Sequence, residues 1–333
     1  MNLLVNKNEE SQIEQIEGEI LSTTGRVKLF GMEIPPYPKL MHLSSLDKGM
    51  VAQKKVNGYN VRLVFVSQLE NFIAVLRGGY VCAKTTYILR KNFQDLFIKF
   101  FRENPKKILC MEVIGKKTLA NVHIDYYNEN YGFEDVGYFV FDIMDMEKQE
   151  NERFFSFEDV KNICNKYGLQ IIPDLGVFEN FDELNKKLHE ISNVFEGAVV
   201  KSLDGKEILK YRFSNRPDLF GDKIPKRDIR EKSEEDRLVG HFFQGYEEKE
   251  LGLESGISQE EMGGYQKMLD QMGEVIKKDK TKIGEESRKI VDYLMNCFEK
   301  HGKFEKKVLE KIEKMFSQKV GSQIGKMLRA EKR

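Results

Sequence analysis

The 333-residue sequence predicts an α+β protein, with a strand-rich region holding a few helices from Val51 to Phe213 and a helical third after it. Three observations carry that prediction. Six short runs between residues 61 and 213 are rich in branched and aromatic side chains, and charged or glycine-containing stretches separate them. Beyond Pro225 the chain has no proline, and Glu, Lys, Leu and Met recur there at helical spacing. Hydrophobic residues make up 40% of a chain longer than one ordinary domain, enough for two or three units with at least one sizeable core.

Taken in order, residues 1–48 mix a polar leader with VKLFGMEIPPYPKLMHL, where Pro35, Pro36 and Pro38 forbid regular helix and favour an extended packing segment. This region is expected to be an N-terminal arm. Strands are expected at VRLVFVS, NFIAVLR, ILCMEVIG, GYFVFDI, EGAVV and EILKYRF. SFEDVKNICNKYG opens with Ser156, has Asp159 three residues on and closes at Gly168, the pattern of a capped helix. Together these define an expected catalytic domain over 49–222, followed by a helical region over 223–333. In the final segment Phe304, Val308, Ile312, Met315 and Val320 fall along one side of a helix whose other face is lysine-rich. From Lys300 onward 11 basic residues stand against 4 acidic ones. That excess suits either RNA contact or a solvated face beside a dimer interface.

Composition narrows the function classes. The 54 basic and 54 acidic residues cancel, so affinity for nucleic acid must come from local clustering. Cys82, Cys110, Cys164 and Cys297 form no CxxC pair, which argues against a zinc ribbon or a disulfide framework. The opening apolar run is too short for a signal peptide and no stretch approaches a membrane span, so the expectation is a soluble, cytoplasmic protein with no membrane partner.

The chemistry-bearing candidate is QKKVNGYNVRL, residues 53–63, which contains Lys55-Val-Asn-Gly58. K-x-x-G alone discriminates little, since Lys28-Leu-Phe-Gly31 matches it as well. Partners follow at Glu112 in CMEVIG, Phe141 and Asp142 in FVFDI, Glu196 and Lys201 in EGAVVK, and Lys210 in LKYRF. Each also has a structural reading. E-x-x-G recurs at Glu134 and Glu261, alternate phenylalanines usually fill cores, and a strand can simply have charged ends. No P-loop or dinucleotide glycine fingerprint is present, and the histidines lack metal spacing.

In this order and separation the residues resemble the covalent nucleotidyltransferases, a superfamily of ATP-dependent RNA and DNA ligases and mRNA capping guanylyltransferases. Lys55-Val-Asn-Gly58 is similar to their first motif, and Glu112, FVFDI, EGAVVK and LKYR follow in the family's order up to Phe213. Asn60 sharpens the likeness, because DNA ligases and capping enzymes usually have arginine there. With RGGYVCAKTT and the helical last third, the chain most resembles archaeal-type ATP-dependent RNA ligases, which are homodimers that seal or circularise RNA. Gln53 stands where the family commonly has glutamate, and Asn57 where it often has aspartate. An amide oxygen can still accept the adenine amine's hydrogen bond.

The resemblance implies an ATP-grasp-like ligase domain of two antiparallel sheets with flanking helices. It implies Lys55 as the nucleophile that takes AMP from ATP; free lysine titrates near ~10.4, and burial, nearby cations or a bound metal can lower that value by disfavouring the ammonium. Lys54, Lys201 and Lys210 would be those neighbours, with Lys201 and Lys210 on the α-phosphate. Arg77 would meet the phosphates or the RNA end, and Glu196 would hold Mg²⁺ or Mn²⁺. Glu112 would accept from the ribose hydroxyls and Phe141 would stack on adenine, with Phe139 as its substitute. Gln53, Lys54, Asn60 and Arg62 complete the expected nucleotide site. AMP would then pass to a 5′-phosphate of single-stranded RNA, which a 3′-hydroxyl attacks. A DNA ligase, a capping enzyme and a non-catalytic nucleic-acid-binding protein of this fold stand as alternatives.

Overall fold

The computed structural model describes residues 2–3, 16–17, 19–20, 27–29, 31–44, 46, 49–79, 81–115, 118, 124–191, 194–223, 239–240, 242–243, 245–248, 253–300 and 306–330. The chain divides into two compact units, Glu33–Glu231 and a second comprising Met1–Met32 with Lys232–Arg333. The boundary expected at residue 48, and the charged stretch 224–238, lie outside the described residues.

The Glu33–Glu231 unit runs β1 (Met41–His42), β2 (Met50–Val56), β3 (Tyr59–Val66), β4 (Asn71–Leu76), α1 (Ala83–Glu103), β5 (Lys107–Gly115), α2 (Ile124–Tyr131), β6 (Val136–Asp145), α3 (Phe157–Tyr167), β7 (Asp174–Phe178), α4 (Phe181–Glu190), β8 (Phe195–Ser202), β9 (Ile208–Arg212) and α5 (Pro217–Phe220). The strands form two sheets. One has the order β6-β5-β3-β4 and is antiparallel throughout; the other has the order β7-β2-β8-β9-β1 and is antiparallel except for the β9–β1 pair. The expected two-sheet α+β architecture with flanking helices is the one observed.

Period-two alternation decides which side chains can meet. On β3 and β5, Val61, Leu63, Leu109, Met111 and Val113 pack beneath α1 and α3 with Leu89, Phe97, Val160 and Cys164. Asn60, Arg62, Cys110 and Glu112 therefore face the other way. On β2, Met50, Ala52 and Val56 join a second core with Leu184 and Leu188 of α4. Val51, Gln53 and Lys55 are thus turned toward the first sheet.

The proline segment is an extended strap over that first sheet, with no regular structure over residues 35–40. Its Pro35 carbonyl accepts from the Arg62 guanidinium, and the Tyr37 hydroxyl donates to Asp142 at 2.5 Å. The predicted helix at 156–168 is α3, capped by Ser156, whose Oγ accepts from the Asp159 backbone N–H at 3.2 Å.

The second unit contains the hairpin β10 (Tyr246–Glu248) and β11 (Leu253–Ser255), then α6 (Gln259–Lys278), α7 (Ile283–Glu299) and α8 (Lys306–Ala330). Its core joins Leu269 and Met272 of α6 with Leu294 and Phe298 of α7 and Phe316 of α8. The buried face of α8 is Ile312, Phe316, Val320 and Ile324, so Phe316 takes the inward place expected of Met315. Phe304 lies outside the described residues. Glu261 closes a capping box with Ser258, which explains its E-x-x-G match as helix initiation. Among the described residues no helix is long and apolar enough to cross a membrane.

Candidate active site

Lys55 sits near the end of β2, directly across from an irregularity in β8. Phe195 pairs with Val56 and Ala198 with Lys54, so Glu196 and Gly197 together oppose Lys55. This is a bulge of two residues against one, built on Gly197 at φ +135°. Its effect is on parity. Glu196 and Lys201 are an odd number of residues apart, and plain alternation would send them to opposite faces. With the bulge both face the first sheet, and Glu196 Oε2 lies 2.5 Å from Lys55 Nζ. Arg212, across from Gly197 on β9, stands 3.7 Å from the same oxygen. Lys210 pairs with Val199, which pairs with Gln53, so all three occupy one face.

A second bulge shapes the opposite wall. Cys110 pairs with Asp142 and Met111 with Val140, leaving Phe141 as the extra residue of β6. Two consecutive residues, Phe141 and Asp142, are thereby presented to the second sheet. Lys201, with a side chain 3% exposed, donates to Asp142 Oδ1 at 2.7 Å and to the Phe141 carbonyl at 2.6 Å. Its Nζ is 5.7 Å from the centre of the Phe141 ring. Phe141 is half-buried, whereas Phe139 is fully buried, so of the two rings only Phe141 is accessible to a ligand.

Glu112, opposite Asn60 on β3, accepts from the Gly58 backbone N–H at 3.2 Å. A side chain at Gly58 would lie 2.7 Å from the Val113 carbonyl oxygen and 2.8 Å from the Glu112 stem, so the close approach of these strands requires glycine. Lost hydration pushes the Glu112 carboxyl up to about 7, with the nearby Glu196 charge adding and Lys55 and Arg77 opposing. Gln53 is fully buried, and among the described residues neither atom of its amide finds a hydrogen-bond partner. The side-chain oxygen of Asn60 is in the same state. Such groups cost stability in the free protein and suit a polar ligand.

Two expected nucleotide contacts are engaged elsewhere. Lys54 follows strand alternation to the α4 side, where its Nζ lies 5.0 Å from the Phe195 ring centre, in a cavity shared with Lys187 and Glu190. It is therefore not the cationic neighbour of Lys55 that the sequence suggested. Burial, and Lys187 beside it, pull the Lys54 amine down. Arg62 faces the correct way but is fully buried, held by the carbonyls of Pro35 and Leu76, and burial pushes it down to about 10. Its Nη1 and Nη2 groups donate to backbone carbonyls. Lys201 likewise is committed to Asp142, so the partner nearest Lys55 is a carboxylate, where cations were expected. Sequence reasoning gave no role to Asp142, Arg212 or Tyr37. Asp142 and Arg212 stood in the quoted FVFDI and LKYRF runs, and Tyr37 in the proline segment.

Among the described residues no group of three or more His, Cys, Asp or Glu side chains could hold a metal unaided. Glu196 fits a hard cation that takes its other oxygens from phosphate and water.

The shift at Glu112 gives a prediction for the free protein. An ordinary glutamate titrates near ~4.3, so the folded state binds this proton more tightly than the unfolded chain does. The resulting penalty is absent below about 4.3, grows as pH rises towards 7 and is complete above it. Glu112→Gln is expected to stabilise the protein at pH 8 by roughly 1–2 kcal/mol, discounted for partial hydration, and by much less at pH 5. Thermal melts at the two pH values measure this. Equal or lower stability of the variant at pH 8 would contradict the account of Glu112.

These two sheets and the ordered motifs between them are similar in kind to a covalent nucleotidyltransferase-type ligase domain. The RNA ligase family model matches residues 48–212. The chain is 31% identical over 166 residues to the uncharacterized protein MJ0414 of Methanocaldococcus jannaschii, a match covering 48% of this chain and 39% of that one. An archaeal ATP-dependent RNA ligase structure is similar at 26% identity and a TM-score of 0.49, covering 57% of this chain and 52% of the other. An Aquifex aeolicus structure with a provisional ATP-dependent DNA ligase assignment gives 26% identity and a TM-score of 0.47, covering 61% and 58%. The chain thus spans well under two thirds of the length of each of these relatives.

Proposed function

We propose that the protein is an ATP-dependent RNA ligase that works through a Lys55–AMP intermediate. The observation that carries this reading is the convergence of Lys55, Glu196, Arg212 and Lys210 on one face, opposite Glu112 and Phe141, within a segment that matches the RNA ligases. The Lys55 ammonium gives up a proton, for which Glu196 is the adjoining acceptor. Its lone pair attacks the α-phosphorus of ATP as the bond to pyrophosphate breaks, leaving AMP on lysine as a phosphoramidate. Lys210, Arg212 and Arg77 are the cations that would meet the charge growing on the phosphate oxygens. Phe141 stacks on adenine, the unpartnered Gln53 amide takes its amine, and Glu112 accepts from the ribose hydroxyls. A divalent cation held by Glu196, Mg²⁺ or Mn²⁺, would withdraw charge from the phosphates.

AMP then passes to an RNA 5′-phosphate, and an RNA 3′-hydroxyl attacks that phosphate and releases AMP. Single-stranded RNA fits as substrate, with circles as one product, and a homodimer through the helical region belongs to the same reading, on a face other than the buried Ile312, Phe316, Val320 and Ile324. The test is incubation with α-labelled ATP and divalent metal, then with 5′-phosphorylated single-stranded RNA and DNA in parallel. Covalent label on the protein and faster joining of RNA are expected. An unlabelled protein would overturn the ligase reading, and faster joining of DNA would overturn the RNA assignment.

A further inference from the structure

We infer that Tyr37, from the proline strap that precedes the family-matched segment, is a positioning residue for adenylyl transfer; this rests on the ligase reading above. Its hydroxyl donates to Asp142 Oδ2 at 2.5 Å, while Lys201 donates to Oδ1 of the same carboxylate at 2.7 Å. Asp142 is 3% exposed and Lys201 2%. The carboxylate is therefore gripped from both sides, out of reach of water, by one phenol from the strap and one ammonium from β8. Burial and the facing Asp142 charge hold the Tyr37 hydroxyl well above its usual range, so it stays a donor throughout the working pH range.

The grip has two consequences for the site. Two of the three Lys201 protons go to Asp142 and the Phe141 carbonyl, which leaves one for a phosphate oxygen. The field Lys201 can offer that oxygen depends on how much of the Asp142 charge another donor has already taken up. Tyr37 is that donor. Its ring also meets Phe141 edge-on with centres 5.1 Å apart, and Phe154 at 5.7 Å, so one residue backs the stacking ring and tunes the cation beside it.

The experiment separates these effects by single-turnover labelling of the full chain at saturating and limiting ATP. Tyr37→Phe keeps the ring and loses the hydroxyl. It is expected to lower the maximal rate of lysine adenylation about tenfold, the size of a hydrogen bond to a charged group, with less than about a threefold change in half-saturating ATP. Tyr37→Ala also removes the support of Phe141 and should raise half-saturating ATP about tenfold. Phe154→Leu loosens the same packing without touching the phenol oxygen, and should lower the melting temperature while leaving the maximal rate unchanged. A Tyr37→Phe rate equal to wild type, or a loss matched by Phe154→Leu, would overturn the positioning role while the ligase reading stands. A wild-type protein that takes no label would overturn both.

Discussion

Lys55→Ala is expected to abolish covalent transfer of AMP to the protein, a loss on the order of a thousandfold or more, the scale on which removing a covalent nucleophile acts. The fold should survive, because Glu196 retains Arg212 at 3.7 Å when its closer partner is gone. Lys55→Arg is the sharper variant. It keeps a cation against Glu196, yet a guanidinium is never deprotonated at working pH, so it too should take no label. RNA supplied with its 5′ end already adenylated bypasses the first step, and both variants should join it at rates within about tenfold of wild type. Label that persists in Lys55→Ala would move the nucleophile to another amine.

The second large effect is expected at Gly197. Its φ of +135° is strained for any side chain, and a methyl group there would lie 2.1 Å from the Tyr211 carbonyl oxygen of β9. Backbone strain and overpacking each cost about 1–3 kcal/mol, so Gly197→Ala should destabilise the Glu33–Glu231 unit by about 2–5 kcal/mol. At about 2–4 °C per kcal/mol for a unit of this size, the melting temperature should fall by roughly 5–15 °C. Adenylation should fall further than stability explains, because straightening β8 turns Glu196 away from Lys55. Labelling at a temperature where the variant remains folded isolates that part. A variant that melts and labels like wild type would mean that the bulge does not set the geometry.

Much of the fold was legible in the residues. Branched and aromatic runs marked the strands of both sheets, and Ser156 and Gly168 marked the ends of α3, because these signals are local. The site was legible as a set of residues but less so as an arrangement. Period-two alternation on QKKV already separates Lys54 from Lys55. The two bulges are another matter. Whether Glu196 and Lys201 share a face depends on one extra residue in a ladder, which strand composition does not reveal. The capture of Arg62 by Pro35 and of Lys201 by Asp142 are likewise tertiary facts, set by which sheet lies opposite which.

The strap has a practical consequence for dissection. The family match begins at residue 48, and a fragment cut there would look like a complete ligase domain on paper. It would nevertheless strip the Arg62 guanidinium of its Pro35 acceptor, bare one oxygen of Asp142, and remove the parallel edge strand at Met41–His42. Inactivity of such a truncation would then report damage inflicted by the scissors and would say nothing about what the intact protein can do.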